Sequence, residues 1–443
     1  MNWQEEYKRK LVSAEEAVKV VKSGDKVYCP LDSEPMAIGL ALAARVGELK
    51  GTEIEVSAPT KDLGWYDEWA TKQFNVKVGF ISRYATERLR RASEEKRVDM
   101  VCKESSLYLK GVLEGRPGER RADVCMFEVS PPDANGFCSF GNAMWDKKRQ
   151  AENAKVVLVQ INKNFIRTYG DNYIHISQID YFVESELGGS VAFLNVVEVK
   201  PPPEAKAISK YVSELINDGD TIQVGVGQLA EALVPEGAFD NKNDLGFHTE
   251  RTPRGAIRLI REGIFTGKCK NIHSGKVVAT CVPLGAGDQE FVHSNPMFEL
   301  YDVSYTNSIP VIASNDNMVS IVGGIAIDLT GQFTGESIGQ RLYSGTGGLP
   351  NFVIGAAYSK RGRSIILLPS TAANGKISRI VPMLEPGTVL TVTRPYIDYV
   401  VTEYGIANLF GKSQRERAKE LTAVAHPDFR QELLKQAEKL YWY

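Results

Sequence analysis

Short apolar runs with the character of strands alternate with longer helix-like runs along the chain. Near the N-terminus the strand-like run DKVYCP is followed by the helix-like run EPMAIGLALAARVGEL, and a further apolar run, AKVVLVQIN, comes later. Near the C-terminus, DYVVTEYG precedes a charged helical stretch. Strands that alternate with helices are typical of α/β proteins, so we predict an α/β fold with mainly parallel sheets.

Two stretches of the chain, 21–42 and 216–234, share one layout. In each, a helix ends at a Gly-Asp turn, and a short strand, a loop and an apolar helix follow. The Gly-Asp pairs stand at 24–25 and 219–220. Such turns are common before strands in α/β proteins, and the alternative is that the likeness is local. The shared layout nevertheless favours two similar halves.

A proline-rich segment, VEVKPPPEAKA at 197–207, lies between these two stretches. Consecutive prolines favour an extended and semi-rigid chain, which is typical of a linker. We therefore predict two similar open, mainly parallel-sheet domains. The N-terminal domain is predicted at 1–196 and the C-terminal domain at 208–443.

The composition is that of a globular protein and argues against two classes of partner. A chain of 443 residues is long enough for two domains, since single cores rarely grow past about 250–300 residues. Its 43% hydrophobic and 24% charged residues are ordinary values. A formal net charge of −2 gives no electrostatic reason to expect binding to nucleic acid or to a membrane surface.

Neither a secretory signal nor a metal site is predicted. The N-terminal run MNWQEEYKRKLVSAEE is charged and lacks an apolar core, and no uncharged apolar run approaches transmembrane length. The six cysteines are scattered, which fits reduced thiols in a cytoplasmic protein. The five histidines show no spacing typical of metal ligands.

One acidic residue, Glu250, stands in the stretch DLGFHTERTPRGAIRLI at 244–260. Thr252 and Pro253 resemble the start of a helix, so we predict that Glu250 lies in the loop before it. Such a carboxylate is ionised at neutral pH, and Arg251 or Arg254 nearby would favour the ionised form. On these residues alone, Glu250 is either a solvated loop acid or a covalent nucleophile.

Two glycine-rich loops accompany this acid. In VGVGQ at 224–228, Gly225 and Gly227 would let a backbone approach a ligand closely, although a tight turn is an equal alternative. In SGTGGLPNF at 344–352, the backbone N–H groups of Gly345, Gly347 and Gly348 can bind an oxyanion or a thioester carbonyl, the alternative being a flexible surface turn. Neither a phosphate-binding loop of the G-x-x-x-x-G-K-[ST] type nor a G-x-S-x-G elbow is present.

A series of motifs resembles the acetyl-CoA hydrolase/transferase family, in particular the 4-hydroxybutyrate and butyrate:acetate CoA-transferases. The resemblance covers nearly the whole chain, and the order and spacing of the motifs make it specific. The motifs are SPPDANGFCSFG (130–141), RTYGDNYIHISQID (167–180), IQVGVGQLAEAL (222–233), DLGFHTE (244–250), DLTGQFTGES (328–337), SGTGGLPNF (344–352), LLPSTA (368–373), VVTEYGIANLFGKSQRERA (400–418) and AHPDFR (425–430).

The resemblance implies a role for each candidate residue. The catalytic glutamate of the family stands in a G-x-H-[ST]-E motif, which places it at Glu250, the nucleophile that forms a glutamyl-CoA thioester. Gly347 and Gly348 match its G-G loop and are the candidates for oxyanion binding. The Q-x-G-x-G stretch that lines the pocket corresponds to Gln223, Gly225 and Gly227. No permanently bound cofactor is implied, because coenzyme A enters as a thioester substrate together with a small carboxylic acid.

Three site positions depart from the common family pattern. Asn351 stands where Asp is common, Arg251 where Met is common, and Arg254 where an acid is common. Because Arg binds carboxylates with two hydrogen bonds, we hypothesise that Arg251 and Arg254 hold the second carboxylate of a dicarboxylic acid such as succinate. The alternative is that both arginines pair with local acids or face solvent.

The sequence therefore predicts a CoA-transferase that acts on a short-chain acyl-CoA and a carboxylic acid, as a dimer or tetramer. Two alternatives stay open: an acyl-CoA hydrolase on the same scaffold, and a non-catalytic sensor of CoA or sugar phosphates. Three further residues receive structural roles. We expect His248 to be a packing residue, Glu403 to be a hydrogen-bond partner, and Cys29 to be a buried, inert thiol.

Overall fold

The computed structural model describes residues 2–32, 34–81, 85–187 and 200–441. The β-strands, numbered in chain order, are β1 Lys26–Cys29, β2 Thr52–Val56, β3 Phe74–Val78, β4 Asp99–Met100, β5 Val124–Val129, β6 Phe137–Ser139, β7 Val156–Ile161, β8 Tyr169–Gly170, β9 Tyr173–His175, β10 Tyr181–Glu184, β11 Thr221–Val224, β12 Gly246–Arg251, β13 Val277–Cys281, β14 Phe298–Leu300, β15 Met318–Gly323, β16 Ala326–Asp328, β17 Phe333–Thr334, β18 Ser337–Ile338, β19 Arg341–Leu342, β20 Arg363–Leu367, β21 Thr371–Ala372, β22 Ile377–Ser378, β23 Ile380–Val381, β24 Tyr399–Thr402 and β25 Gly405–Asn408.

Helices follow most of the longer strands. The α-helices are α1 Trp3–Lys10, α2 Ala14–Ala17, α3 Met36–Ala44, α4 Glu68–Thr71, α5 Glu87–Glu94, α6 Lys110–Leu113, α7 Lys147–Asn153, α8 Ala205–Leu215, α9 Gln228–Ala232, α10 Ala256–Arg261, α11 Gln289–Val292, α12 Val303–Thr306, α13 Ile309–Ala313, α14 Leu349–Tyr358, α15 Gln414–Ala423 and α16 Pro427–Tyr441. Short 3-10 helices span Val18–Val20, Ser105–Leu107, Ile176–Gln178 and Arg394–Tyr396. None of the helices in the described ranges is long and apolar enough to cross a membrane.

The chain folds into two compact units. The first unit comprises Met1–Val196 and Thr280–Tyr305, and the second comprises Val197–Ala279 and Thr306–Tyr443. The predicted domain boundaries stay a prediction, and the units differ from them because Thr280–Tyr305 packs with the first unit. Of the predicted linker at 197–207, the first three residues lie outside the described part, and α8 already begins within the linker at Ala205.

The first unit contains a parallel sheet with the strand order β10-β7-β5-β1-β2-β3-β4. Every residue of its inner strand β5 is buried, as expected for a parallel strand that is covered on both faces. Val27, Ile54 and Leu158 lie in the core of this unit without solvent contact. The predicted α/β fold with mainly parallel sheets is thereby confirmed.

The second unit contains a sheet in which β25, β24, β20, β15, β11 and β12 are neighbours in this order. The strands β24, β20, β15, β11 and β12 run parallel, and β25 pairs antiparallel at the edge. Helix α14 packs against β15 and β20, and α13 packs against α14. Ligands of such sheets bind outside the carboxyl ends of the parallel strands, so a site is expected at those strand ends.

The predicted Gly-Asp turns have the same geometry in both units. Gly24 and Gly219 precede β1 and β11, and both adopt a positive φ, of 81° and 77°. The aspartate after each glycine accepts a hydrogen bond from the backbone N–H three residues earlier, at 2.8 Å in the first turn and 2.7 Å in the second. The local repeat seen in the sequence is therefore also a structural one.

Candidate active site

Strand β12 carries the candidate nucleophile, Glu250. The strand pairs in parallel with β11, and Gly246 lies opposite Thr221. The prediction that Glu250 lies in a loop is wrong, because β12 continues to Arg251 and helix α10 begins only at Ala256. Pairing with a neighbouring strand that is distant in sequence outweighs the local helix-start signal.

The carboxylate of Glu250 has two close neighbours in the second unit. The side-chain amide of Asn307 donates a hydrogen bond through Nδ2 to Oε2 of Glu250. Gly348 lies so close that a methyl group on its Cα would overlap both this oxygen and the Asn307 amide nitrogen. Only glycine fits here, and the partly exposed carboxylate therefore lies directly at the start of helix α14.

The second glycine loop leads into α14. Gly347 has a φ of 58°, in the left-handed region that favours glycine, and Gly348 caps the N-terminus of the helix. Asn351 lies in the first helical turn and is buried. The N-terminus of a helix carries partial positive charge and free N–H groups, so it favours a carboxylate or a developing oxyanion. The structure brings Gly348 to Glu250, and the oxyanion role of Gly347 and Gly348 stays a prediction.

The first glycine loop connects β11 to α9. Gln223 lies on β11 and accepts a hydrogen bond from the Ser320 hydroxyl at 2.8 Å. The pairing of Thr221 with Gly246 places Gln223 on the same sheet face as Glu250, because side chains alternate along both strands. Gly225 packs against the neighbouring strand, where a methyl group would lie 3.3 Å from the Ile321 carbonyl oxygen, and Gly227 directly precedes α9.

The two arginines that follow Glu250 pair with Glu231 on α9. Arg251 Nη1 lies 3.2 Å from Glu231 Oε1, and Arg254 Nε lies 3.4 Å from Glu231 Oε2. Successive residues of a strand point to opposite faces, so Arg251 is directed away from the face that carries Glu250. The acid-binding role of Arg251 and Arg254 stays a prediction. The observed contacts match the alternative of pairing with a local acid for both arginines.

His248 is a neutral, buried packing residue on the face that carries Glu250. Its Nε2 donates to the Thr306 carbonyl oxygen at 2.8 Å, because a carbonyl can only accept. Burial, with a smaller contribution from the charge of Lys270, lowers the pKa of His248 from 6.5 to about 3. Among the residues the structure describes, Nδ1 has no hydrogen-bond partner.

Asn307 is a site residue that the sequence analysis did not identify. It follows Thr306, and these two consecutive residues bind two side chains on the same face of β12. The Thr306 carbonyl oxygen binds His248, and the Asn307 amide binds Glu250. The tripeptide TNS at 306–308 matches no functional pattern, and Asn307 is 57 residues away from Glu250 in the chain. Only the tertiary fold reveals the contact.

Glu403 and Cys29 have the surroundings of structural residues. The Glu403 carboxylate accepts hydrogen bonds from the backbone N–H of Ser370, at 3.0 Å, and from the Ser370 hydroxyl. Burial raises the pKa of the Cys29 thiol well above its usual value, so the thiol stays protonated and unreactive. Within the described ranges, no three His, Cys, Asp or Glu side chains are grouped as metal ligands.

Comparison with known proteins identifies the family. The model of the acetyl-CoA hydrolase/transferase N-terminal domain matches residues 1–194, and the model of the C-terminal domain matches residues 289–437. The chain belongs to the acetyl-CoA hydrolase/transferase family. The resemblance noted from the sequence motifs is thus confirmed.

Individual relatives of this family match along the full length. The 4-hydroxybutyrate coenzyme A transferase of Clostridium kluyveri is 37% identical, and the alignment covers 100% of both chains. The succinyl-CoA:cyclohexane-1-carboxylate CoA transferase of Geobacter metallireducens is 37% identical over 99% of this chain and 97% of its own. The crystal structure of RipA from Yersinia pestis matches over 100% of both chains with a TM-score of 0.89 and 32% identity. The protein is accordingly an enzyme of the CoA-transferase type.

The buried, neutral state of His248 predicts a pH dependence of stability. Between pH 6.5 and 3 the unfolded chain binds a proton on this residue that the folded chain does not, so the free energy of unfolding falls as the pH falls. The contribution is about 1.4 kcal/mol per pH unit in this window. We expect the free energy of unfolding of H248Q, measured by urea titration, to fall less between pH 6.5 and 4.5 than that of the wild type. Identical pH profiles for the variant and the wild type would contradict the assignment.

Proposed function

We propose that the protein transfers CoA between a short-chain acyl-CoA and a small carboxylic acid through a glutamyl-CoA thioester on Glu250. The observation that carries this proposal is the setting of the Glu250 carboxylate. It is held by the Asn307 amide and lies against Gly348 at the N-terminus of α14. A solvated surface acid would need neither contact.

The chemistry needs a carboxylate nucleophile and no external base. An oxygen of Glu250 attacks the thioester carbonyl carbon of the acyl-CoA, and departure of the CoA thiolate from the tetrahedral adduct leaves a mixed acyl-glutamyl anhydride. The thiolate then attacks the γ-carbonyl carbon of Glu250, which releases the free acid and forms the glutamyl-CoA thioester. An acceptor carboxylate repeats the two steps in reverse order, and Glu250 returns as a carboxylate. Each bond formed balances one that is broken, and no proton is transferred.

Preorganised donors supply the main electrostatic support for these steps. Each attack develops negative charge on a carbonyl oxygen, and backbone N–H groups that are already in place stabilise that charge without reorganisation. Gly347 and Gly348 offer such groups at the start of α14, and Gly348 lies against Glu250. The carboxyl end of β11 and the loop after it carry the further candidates Gln223, Gly225 and Gly227. Asn351, buried in the first turn of α14, is the further candidate for substrate binding.

The remaining expectations concern the substrate pair and its setting. The relatives from Clostridium kluyveri and Geobacter metallireducens are named for 4-hydroxybutyrate and for cyclohexane-1-carboxylate with succinyl-CoA. By analogy, this enzyme takes a CoA thioester as its substrate and uses no permanently bound cofactor. A cytoplasmic homo-oligomer, dimeric or tetrameric, stays a prediction.

Formation of the covalent intermediate tests the proposed function directly. We expect incubation with acetyl-CoA, without an acceptor acid, to add the mass of CoA to the wild type and to leave E250Q unmodified, as read by intact-protein mass spectrometry. E262Q is the matched control, because Glu262 is an exposed acid that pairs with Arg258 on α10. A wild type without an adduct would indicate a ligand sensor. Continuous release of free CoA without an acceptor acid would indicate a hydrolase.

The hydrogen bond from Asn307 predicts a kinetic effect. N307A removes a donor to a charged group, which is worth about 1.5–3 kcal/mol, so we expect adduct formation to slow by roughly 10- to 100-fold. N307D should be slower still, because it places a second carboxylate beside the first. The control N271A removes an exposed amide that donates to the Ser314 carbonyl oxygen. Adduct formation by N307A at the wild-type rate would exclude a role of this contact.

The pairing of both arginines with Glu231 predicts how they affect acid specificity. R251M breaks a buried ion pair, so we expect a loss of about 3 kcal/mol in the free energy of unfolding. R251M and R254A should both lower kcat/KM for succinate and for butyrate by equal factors. R258A is the control, since Arg258 forms only exposed ion pairs, which are worth less than about 1 kcal/mol. A selective loss for succinate would support the dicarboxylate hypothesis instead.

A further inference from the structure

Glu336 is a buried acid next to the second glycine loop. It lies two residues after β17, in the motif TGES at 334–337, and only 6% of its surface is exposed to solvent. Burying a carboxylate costs free energy unless hydrogen bonds compensate for the lost water. An apolar side chain would fill this space in the core equally well. The contacts of the carboxylate therefore indicate why an acid stands here.

The contacts of Glu336 join it to the loop before Gly347. Its Oε2 accepts a hydrogen bond from the hydroxyl of Thr346 at 3.0 Å. Its backbone carbonyl oxygen accepts hydrogen bonds from the N–H groups of Tyr343, at 2.7 Å, and of Ser344, at 3.2 Å. One residue thus binds three of the four residues at 343–346, and the last of them directly precedes Gly347.

The segment that carries Glu336 is itself firmly attached to the core. Phe333 is fully buried, and Gly335 donates its N–H to the Thr391 hydroxyl oxygen at 2.9 Å. The hydroxyl oxygen of Ser337 accepts the N–H of Val389 at 2.7 Å. Because both neighbours of Glu336 are held by the 389–391 segment, the acid is a fixed point and the loop is the part that it restrains.

A glycine loop needs such a restraint to work in catalysis. Gly345, Gly347 and Gly348 have no side chains to limit their backbone angles, so an unrestrained loop would sample many conformations. Donors stabilise a developing oxyanion best when they are already in place. The loop must also hold Gly348 against the Glu250 carboxylate, where there is no room for displacement.

We propose that Glu336 is a positioning residue, which fixes the glycine loop through Thr346 and the backbone at 343–344 so that Gly347 and Gly348 meet the reacting carbonyl group. It does not touch the substrate and takes no proton. The inference rests on the proposed function, since it assigns to this acid the alignment of the loop used in that reaction.

The Thr346 hydroxyl provides the most direct test. T346V keeps the shape of the side chain and removes the donor, so we expect kcat and the rate of adduct formation to fall by roughly 10- to 100-fold. The KM for acetyl-CoA should change by less than about two-fold, because the loop acts on the transition state. T346S restores the hydroxyl and should recover most of the rate. T266V is the matched control, since Thr266 makes an equivalent 3.0 Å bond to Asp244.

A second variant and a stability measurement keep the test decisive. E336Q retains an oxygen acceptor for Thr346 without the charge, and we expect a loss in kcat of roughly 3- to 10-fold. If T346V does not fold, as judged by circular dichroism, E336Q decides the question. Wild-type kcat in the folded T346V variant, or equal losses in T346V and T346S, would overturn the proposal. Failure of the wild type itself to form an adduct would instead refute the proposed function.

Discussion

The site depends on one constraint, which is that the carboxylate of Glu250 must fit between an amide and a helix N-terminus. The Asn307 amide binds one oxygen, and the bare Cα of Gly348 lies against the same oxygen. Neither a larger residue at 348 nor a shift of β12 by one position is compatible with this arrangement, because a one-residue shift turns every side chain to the other face. The register of β12 against β11 therefore determines the position of Glu250 beside Asn307 and Gly348.

The two faces of β12 separate two different electrostatic environments. One face carries Glu250 and a histidine, His248, whose pKa is lowered to about 3, so that it stays neutral. On the other side, Arg251 forms a buried ion pair with Glu231 of α9, and Arg254 reaches the same carboxylate. Since α9 follows the first glycine loop, this ion pair also connects that loop to the end of the strand that carries Glu250. The departures from the family pattern at these two positions have a structural partner within the same unit.

Local signals in the sequence were sufficient for the fold class and the family, because motif order and strand–helix alternation are properties of the chain itself. The choice of Glu250 and of the two glycine loops as site residues stays a prediction. The placement of Glu250 in a loop was wrong, since the strand is stabilised by pairing with β11, which the local pattern does not show. The same reason explains why Asn307 was missed and why the partner of Arg251 was not foreseen. Both contacts join residues on separate elements, 57 and 20 positions apart.

The contacts with Asn307 and Gly348 orient the Glu250 carboxylate. An amide N–H and the N-terminus of a helix act on it through partial charges, which favour the ionised form. Partial charges of this kind would also stabilise the negative charge that develops on the carbonyl oxygen in the proposed attack. The buried ion pair of Arg251 with Glu231 lies on the opposite face of the strand, where it attaches the end of β12 to α9.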